Sequence, residues 1–195
     1  MNPKKTSQRL KDKDKRTNFM DFLWDNKIVQ KALFFATNAH AGQTMKHPAD
    51  TSYSAHVTGV LLNVINFCHA DKLDWNLACC CALLHDTLED TATTYEDLAN
   101  IFGQRIADGV LALTKNEQLP HEKQMSDSIE RIKKQPPEVA MVKMADRLFN
   151  IRGRVPTWTK EKQSAYLEEA KLIYNNLNYA NPTLAKALHK AIEEY

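Results

Sequence analysis

The sequence predicts an all-α protein, and three observations carry that reading. Glycine occurs only five times, β-branched residues seldom run together, and Ala, Leu, Lys, Glu and Gln recur at helical rather than alternating spacing. No segment reads as a convincing strand, and no internal repeat is evident. A chain of 195 residues that is 43% hydrophobic is long enough for one well-buried core and too short for two full-sized domains. The expected architecture is a compact multi-helix bundle of about nine or ten helices.

Residues 1–19 are dense in lysine and nearly free of large apolar side chains, so they cannot repay the entropy of ordering. They are expected to form a flexible basic N-terminal tail ahead of a single domain at 20–195. From Phe19 the spacing of Phe22, Leu23, Ile28, Val29, Ala32, Leu33, Phe35 and Ala36 predicts a helix that stops at Gly42. Thr44 to Ser54 carries Pro, Asp and Ser without periodicity and reads as a loop. Ser54 is a candidate cap for a helix running to Phe67, and Asp74 for a central helix from Trp75 to about Glu89. Thr93-Thr94-Tyr95-Glu96 has the form of a capping box, opening a short helix that Gly103 closes. A helix from Gln104 to Thr114 follows, and then a polar one from His121 to Lys134 with a stripe of Met125, Ile129 and Ile132. Pro136-Pro137 breaks the chain. The next helix, Pro137 to Gly153, is apolar on most faces and therefore expected to be buried. Thr157 or Thr159 caps a long amphipathic helix, and Asn181-Pro182 starts the last one.

The formal charge of +2 is nearly balanced and gives no general case for nucleic-acid binding. Of four cysteines, three are consecutive at positions 79–81, where neighbours diverge around a helix and cannot form a disulfide framework. They read as small buried side chains in a reducing compartment. With no leader-like N-terminus and no apolar run of membrane-spanning length, a cytoplasmic protein is expected.

The chemistry concentrates in His85-Asp86-Thr87-Leu88-Glu89-Asp90, an imidazole and three carboxylates at the end of an apolar run. On a continuous helix His85 lies beneath Glu89 and Asp86 beneath Asp90, so all four share an arc of about 140°. Crowded carboxylates repel one another unless a cation or a proton compensates. Asp146 is the second informative position, a carboxylate inside a helix expected to be buried, where an ionised acid is costly unless paired or metal-bound. Arg147 beside it is the alternative, an ion-pair partner. Mixed imidazole and carboxylate ligands suit Mn²⁺, Fe²⁺ or Zn²⁺ better than Ca²⁺. His56 and His40 compete for the fourth ligand position. Glu89 and Asp90 are placed to orient a water and move its proton.

These residues bear a resemblance. His56, His85-Asp86 and Asp146 follow the H…HD…D order of the HD-domain metal-dependent phosphohydrolases. HDTLED resembles the HDTVED motif of the RelA/SpoT-type guanosine 3′,5′-bis(pyrophosphate) hydrolases, and VKMADRLFNIR resembles their VKLADRLHNMR. His40 to His56 looks like their H-x-GQ…PYI-x-HP element. The match spans roughly residues 30–195 and, without a synthetase region, is most similar to the stand-alone small alarmone hydrolases of the metazoan SpoT type.

The resemblance implies an HD-domain bundle in which His56, His85, Asp86 and Asp146 bind a metal, usually Mn²⁺, and Glu89 and Asp90 are catalytic. It favours His56 over His40. It also implies that Asn150, Lys46 and Tyr53 contact the nucleotide, and that pyrophosphate is released from the 3′ position of ppGpp or pppGpp to give GDP or GTP. Met45 stands where the family carries arginine before Lys46, Ser52 replaces the loop proline, and Val57 the proline after the histidine. Methionine offers adaptable apolar contact where arginine stacks and pairs, which brings in other phosphorylated nucleotides: NADPH through its 2′-phosphate, ppApp or a nucleoside monophosphate. A sensor that binds a nucleotide without turning it over is the reading from another class. Lys143, Arg147 and Arg152 join Lys46 as candidate cations framing the pocket. The expected partner is a small-molecule nucleotide, with neither membrane nor nucleic acid.

Overall fold

A computed structural model describes residues 25–46, 48–67, 73–153 and 157–195. The basic segment 1–19 and the proposed start of the first helix lie outside the described residues. Among the described residues the chain is helical with no strand, an antiparallel bridge pairing Thr44 with Ser52 being the nearest approach to one.

Helix α1 (Lys27–Ala39) is capped by the Asn26 side chain, which accepts the Val29 N–H. A turn with Gly42 at φ +80° leads into the predicted loop. Helix α2 (Ser54–Phe67) includes Ser54 as its first residue rather than its cap; the Ser52 hydroxyl accepts the Ser54 N–H instead. Asp74 caps α3 as expected, accepting the Leu77 N–H at 3.0 Å. That helix ends at Leu84 (Trp75–Leu84), and a separate turn α4 (Thr87–Asp90) follows. The capping box of α5 (Tyr95–Phe102) lies one residue later than its sequence form suggests: the Thr94 hydroxyl accepts the Asp97 N–H at 3.1 Å and the Asp97 carboxylate accepts the Thr94 N–H at 3.0 Å.

Helix α6 (Gln104–Leu113) and the polar α7 (His121–Ile132) come next, the latter burying Met125, Ile129 and Ile132 as its spacing predicts. Helix α8 (Pro137–Arg152) opens on proline at its first turn. Thr159 caps α9 (Lys160–Leu177), and Asn181 caps α10 (Pro182–Glu193) while its amide donates to the Phe67 carbonyl.

Two helices form the middle of the core. In α3 every residue from Leu77 to Leu84 is buried, and α8 packs against α2, α3, α6, α9 and α10. A helix apolar all round must lie inside, because no face of it tolerates water. Cys79, Cys80 and Cys81 belong to that interior and form no disulfide; at Gly109, α6 comes so close that an added Cβ would sit 2.8 Å from the Cys81 sulfur. Buried polar side chains on α8 are few and partnered, Glu138 accepting the Asp74 N–H and Arg147 pairing with Glu169 on α9. Among the described residues no helix is long and apolar enough to cross a membrane.

Candidate metal centre and active site

The expected unbroken helix to Glu89 does not form, and the reason lies in the side chains of the motif. His85 Nδ1 donates to the Ala82 carbonyl at 2.9 Å and the Thr87 hydroxyl to the Leu84 carbonyl at 2.7 Å. These bonds take acceptors that would continue the ladder, the competition by which short polar side chains end helices. Asp86 consequently sits at φ −98°, ψ −1°, between α3 and α4. The four polar residues are thus not stacked on one face. His85 and Asp86 turn inward, while Glu89 and Asp90 ride on a separate short helix.

Four ligand-type side chains meet at the break. His56 Nε2, from the first turns of α2, lies 3.1 Å from His85 Nε2, 3.3 Å from Asp86 Oδ2 and 3.4 Å from Asp146 Oδ1. His85 Nε2 is 3.1 Å from Asp86 Oδ2 and 3.8 Å from Asp146 Oδ1. His56, His85 and Asp146 each offer an atom within 4.8 Å of the others. Both histidines are buried, and α8 carries Asp146. His40 is not part of the cluster: its Nδ1 donates to Gln43 Oε1 and its ring stacks on Tyr53.

The donor chemistry fits a divalent metal. With Nδ1 of neutral His85 committed to a carbonyl, Nε2 presents its lone pair, the arrangement that orients metal-binding imidazoles. Each imidazole Nε2 lies within 4 Å of both carboxylates, and such a gathering of lone pairs and negative charge is unfavourable unless a cation or a proton lies among them. Without metal the proton supplies the charge. Burial opposes it on His85, but Asp86 and Asp146 outweigh burial and push that pKa up to about 9. Burial likewise opposes charge on Asp86, while His85 and His56 hold its carboxyl well below the usual range.

A pH dependence follows, with its sign fixed by His85. A group that binds its proton more tightly when folded contributes stability below its unfolded pKa of 6.5, and loses it as pH rises through about 9. Metal-free protein is therefore expected to melt progressively lower from pH 6.5 to 9. A divalent cation, which competes with that proton, should remove the loss. Melting curves in chelator and in Mn²⁺ across this range are the measurement; a flat chelator series would exclude the proton on His85.

Around the cluster, the loop and α4 are tied together. The Tyr53 hydroxyl donates to Asp86 Oδ2 at 2.5 Å and lies 3.4 Å from Asp90 Oδ2. Burial and the Asp86 charge push its phenol far up, so it remains a neutral donor. Tyr53 N–H donates to the Gln43 carbonyl, and the Gln43 amide donates to the Asp90 carbonyl at 2.7 Å. Burial, then the charges of Asp86 and Glu89, raises the pKa of Asp90, so this carboxyl holds a proton more readily than an ordinary aspartate. Glu89 turns the other way: Oε2 accepts the Lys115 N–H at 3.1 Å, and Oε1 lies 3.7 Å from Lys115 Nζ.

The remaining expected residues fall into two groups. Asn150 donates to Asp146 Oδ1 at 2.6 Å, and Lys143, buried one turn before Asp146, shares that helical face. Lys46 is exposed and Met45 half-buried at the loop. Arg147 corrects the expectation of a pocket cation: its guanidinium pairs with Glu169 on α9 and stacks over Tyr166 at 4.2 Å. The Asp146 charge acts on Arg147 from nearby, but the ion pair is with Glu169. Sequence reasoning passed over Lys115 and Gln43, whose pairings join positions 26 and 47 residues apart; the GQ of the loop motif was the available signal for Gln43.

Residues 32–183 match the family model described as HD domain. The chain is 28% identical over 171 residues to guanosine-3′,5′-bis(diphosphate) 3′-pyrophosphohydrolase MESH1 of Danio rerio, an alignment covering 86% of this chain and 93% of the relative. It is 31% identical over 168 residues to the protein of that name from Mus musculus, covering 84% and 92%. Among solved structures it resembles one described as a metazoan ortholog of SpoT that hydrolyses ppGpp and plays a role in starvation responses. There the TM-score is 0.75 and the identity 28%, with 86% of this chain and 95% of the other covered.

Proposed function

We infer the activity from one premise: this chain belongs to the HD domain family. It is a metal-dependent hydrolase of guanosine 3′,5′-bis(pyrophosphate), taking pyrophosphate from the 3′ position of ppGpp or pppGpp to leave GDP or GTP. The observation that carries the reading is the convergence of His56, His85, Asp86 and Asp146 beside two acids, Glu89 and Asp90, that the cluster itself does not engage. A sensor needs the ligands but gains nothing from the acids. Relatives named for this hydrolysis align over nearly their whole length.

In this reading the four ligands hold Mn²⁺, which when bound supplies charge neutralisation at a phosphoryl oxygen and acidifies water. Hydrolysis forms a bond from the water oxygen to the phosphorus attached to O3′ and breaks the P–O3′ bond, with a proton passing to O3′. Asp90, its pKa raised, holds and transfers a proton, while Glu89 orients the attacking water. Tyr53 fixes Asp86 and Asp90 relative to each other, and Asn150 fixes Asp146. Lys46 and Lys143 meet the phosphates. Arg147 is left out of this set, since Glu169 holds it. The buried cysteines, free of disulfides, fit a reducing cytoplasmic setting.

Met45 favours a second reading at the level of substrate. Its half-buried thioether occupies the loop position of the family arginine, so ppApp, NADPH or a nucleoside monophosphate is the alternative.

The deciding experiment incubates the protein and Mn²⁺ with ppGpp, ppApp, NADPH and a nucleoside monophosphate separately, with products resolved by ion-exchange chromatography. GDP and pyrophosphate from ppGpp establish the first reading; turnover of another nucleotide alone replaces it with the second. With the active substrate, Glu89→Gln and Asp90→Asn are expected to lower kcat by roughly 10²–10⁴ and to change KM far less. An unchanged kcat in both variants would remove these acids from the mechanism.

A further inference from the structure

The reaction just described leaves Lys115 without a role. We propose that Lys115 is a further cation of the substrate site beside Lys46 and Lys143, one that rests on Glu89 and passes to the pyrophosphate group when the nucleotide binds; this rests on the pyrophosphohydrolase reading.

Glu89 is held in two unequal ways. The backbone N–H of Lys115 meets Oε2 at 3.1 Å, a hydrogen bond strengthened by the carboxylate charge. Its ammonium lies 3.7 Å from Oε1, at the long limit of an ion pair, with about a third of the lysine side chain exposed. Such a pair in contact with water contributes little. The ammonium is therefore free to leave while the acid stays anchored by the main chain.

That main chain is itself fixed. The Arg131 guanidinium donates to the carbonyls of Thr114, at 2.7 Å, and Leu111, and is oriented by Asp127 at 2.8 Å. Ser128 Oγ donates to the Ala112 carbonyl at 2.8 Å. These are the last-turn carbonyls that a helix end leaves open, so α7 holds the end of α6 and with it the Lys115 N–H. Only the lysine side chain remains to move.

Electrostatics supplies the need. Asp86, Glu89, Asp90 and Asp146 gather on one site, and a pyrophosphate group adds several negative charges that one divalent ion only partly offsets. Arg147 is committed to Glu169 and position 45 carries no charge, so Lys46 and Lys143 are left to answer four acids and a pyrophosphate. Lys115 brings an ammonium to the Glu89 member of the acid pair, while Asp90 is tied through its carbonyl to Gln43 of the loop. A flexible point charge suits tetrahedral phosphate without selecting a base, which makes this contact indifferent to the nucleoside.

The test uses full-length wild type, Lys115→Gln, Lys115→Met as a second neutral variant, and Lys115→Arg, all with Mn²⁺. Steady-state kinetics on the nucleotide that wild type hydrolyses, product inhibition by inorganic pyrophosphate and by the nucleoside product, and calorimetric titration with pyrophosphate are the readouts. Both neutral variants are expected to raise KM and weaken pyrophosphate binding about tenfold, with kcat and inhibition by the nucleoside product little changed. Lys115→Arg should recover most of the loss. A loss confined to kcat would make Lys115 a positioning residue for Glu89 and overturn the proposal, as would equal pyrophosphate affinity in wild type and neutral variants. Because the titration needs no turnover, a wild type that hydrolyses none of the nucleotides fails the parent reading separately.

Discussion

Asp146→Asn is expected to lower turnover roughly 10³-fold, the loss of about 4 kcal/mol of metal-derived charge stabilisation, while leaving the fold in place. Asparagine keeps the shape of the side chain and retains an oxygen to accept the Asn150 amide that now donates to Asp146 at 2.6 Å. What it removes is the negative charge 3.4 Å from His56 and 3.8 Å from His85. Melting curves separate the two effects. Wild type should gain about 5–10 °C from Mn²⁺ at 100 times its dissociation constant, and the variant should gain almost nothing. A variant still stabilised by Mn²⁺ to the wild-type extent would show that Asp146 is not a ligand.

The second large effect comes from a residue with no side chain. A Cβ at Gly59 would stand 2.0 Å from Cε2 and 2.5 Å from Cδ2 of Phe149, so the ring must move. The same ring packs edge-on against His56, with centroids 5.2 Å apart. Gly59→Ala should therefore cost about 1–3 kcal/mol by overpacking. By displacing a residue that supports a ligand it should also weaken Mn²⁺ binding about 10–100-fold. Calorimetric titration measures the second effect and thermal melting the first. Adding Phe149→Leu to Gly59→Ala makes room for the methyl group and should recover stability. If the double variant is no better than the single one, the clash does not lie between these two residues.

Much of this was legible in the chain, and the physical reasons differ from residue to residue. His85, Asp86 and Asp146 announced themselves because charge within apolar helices demands compensation. The buried helices α3 and α8 were equally plain from their composition. The break at Asp86 was not, since it depends on two side chains taking carbonyls of their own helix rather than pointing outward. The capping box was misjudged by one position because Thr93 and Thr94 both begin an acceptable pattern, and only packing chooses between them. Lys115, Gln43 and the Gly59–Phe149 contact are tertiary pairings, which no periodicity encodes. Arg147 read as a pocket cation because its neighbour is Asp146, yet one residue along a helix is a rotation of about 100°, enough to deliver it to α9.

The loop between Gln43 and Tyr53 is fastened at its base and exposed along much of its tip, where Thr44, Lys46, Pro48, Ala49 and Asp50 meet solvent. Mutational drift at those tip positions leaves untouched the bonds that bind the loop to Asp86 and Asp90. On the function proposed above, selection can retune which nucleotide is admitted without reopening the chemistry beneath, so that a lineage can change diet while inheriting the same cutting edge.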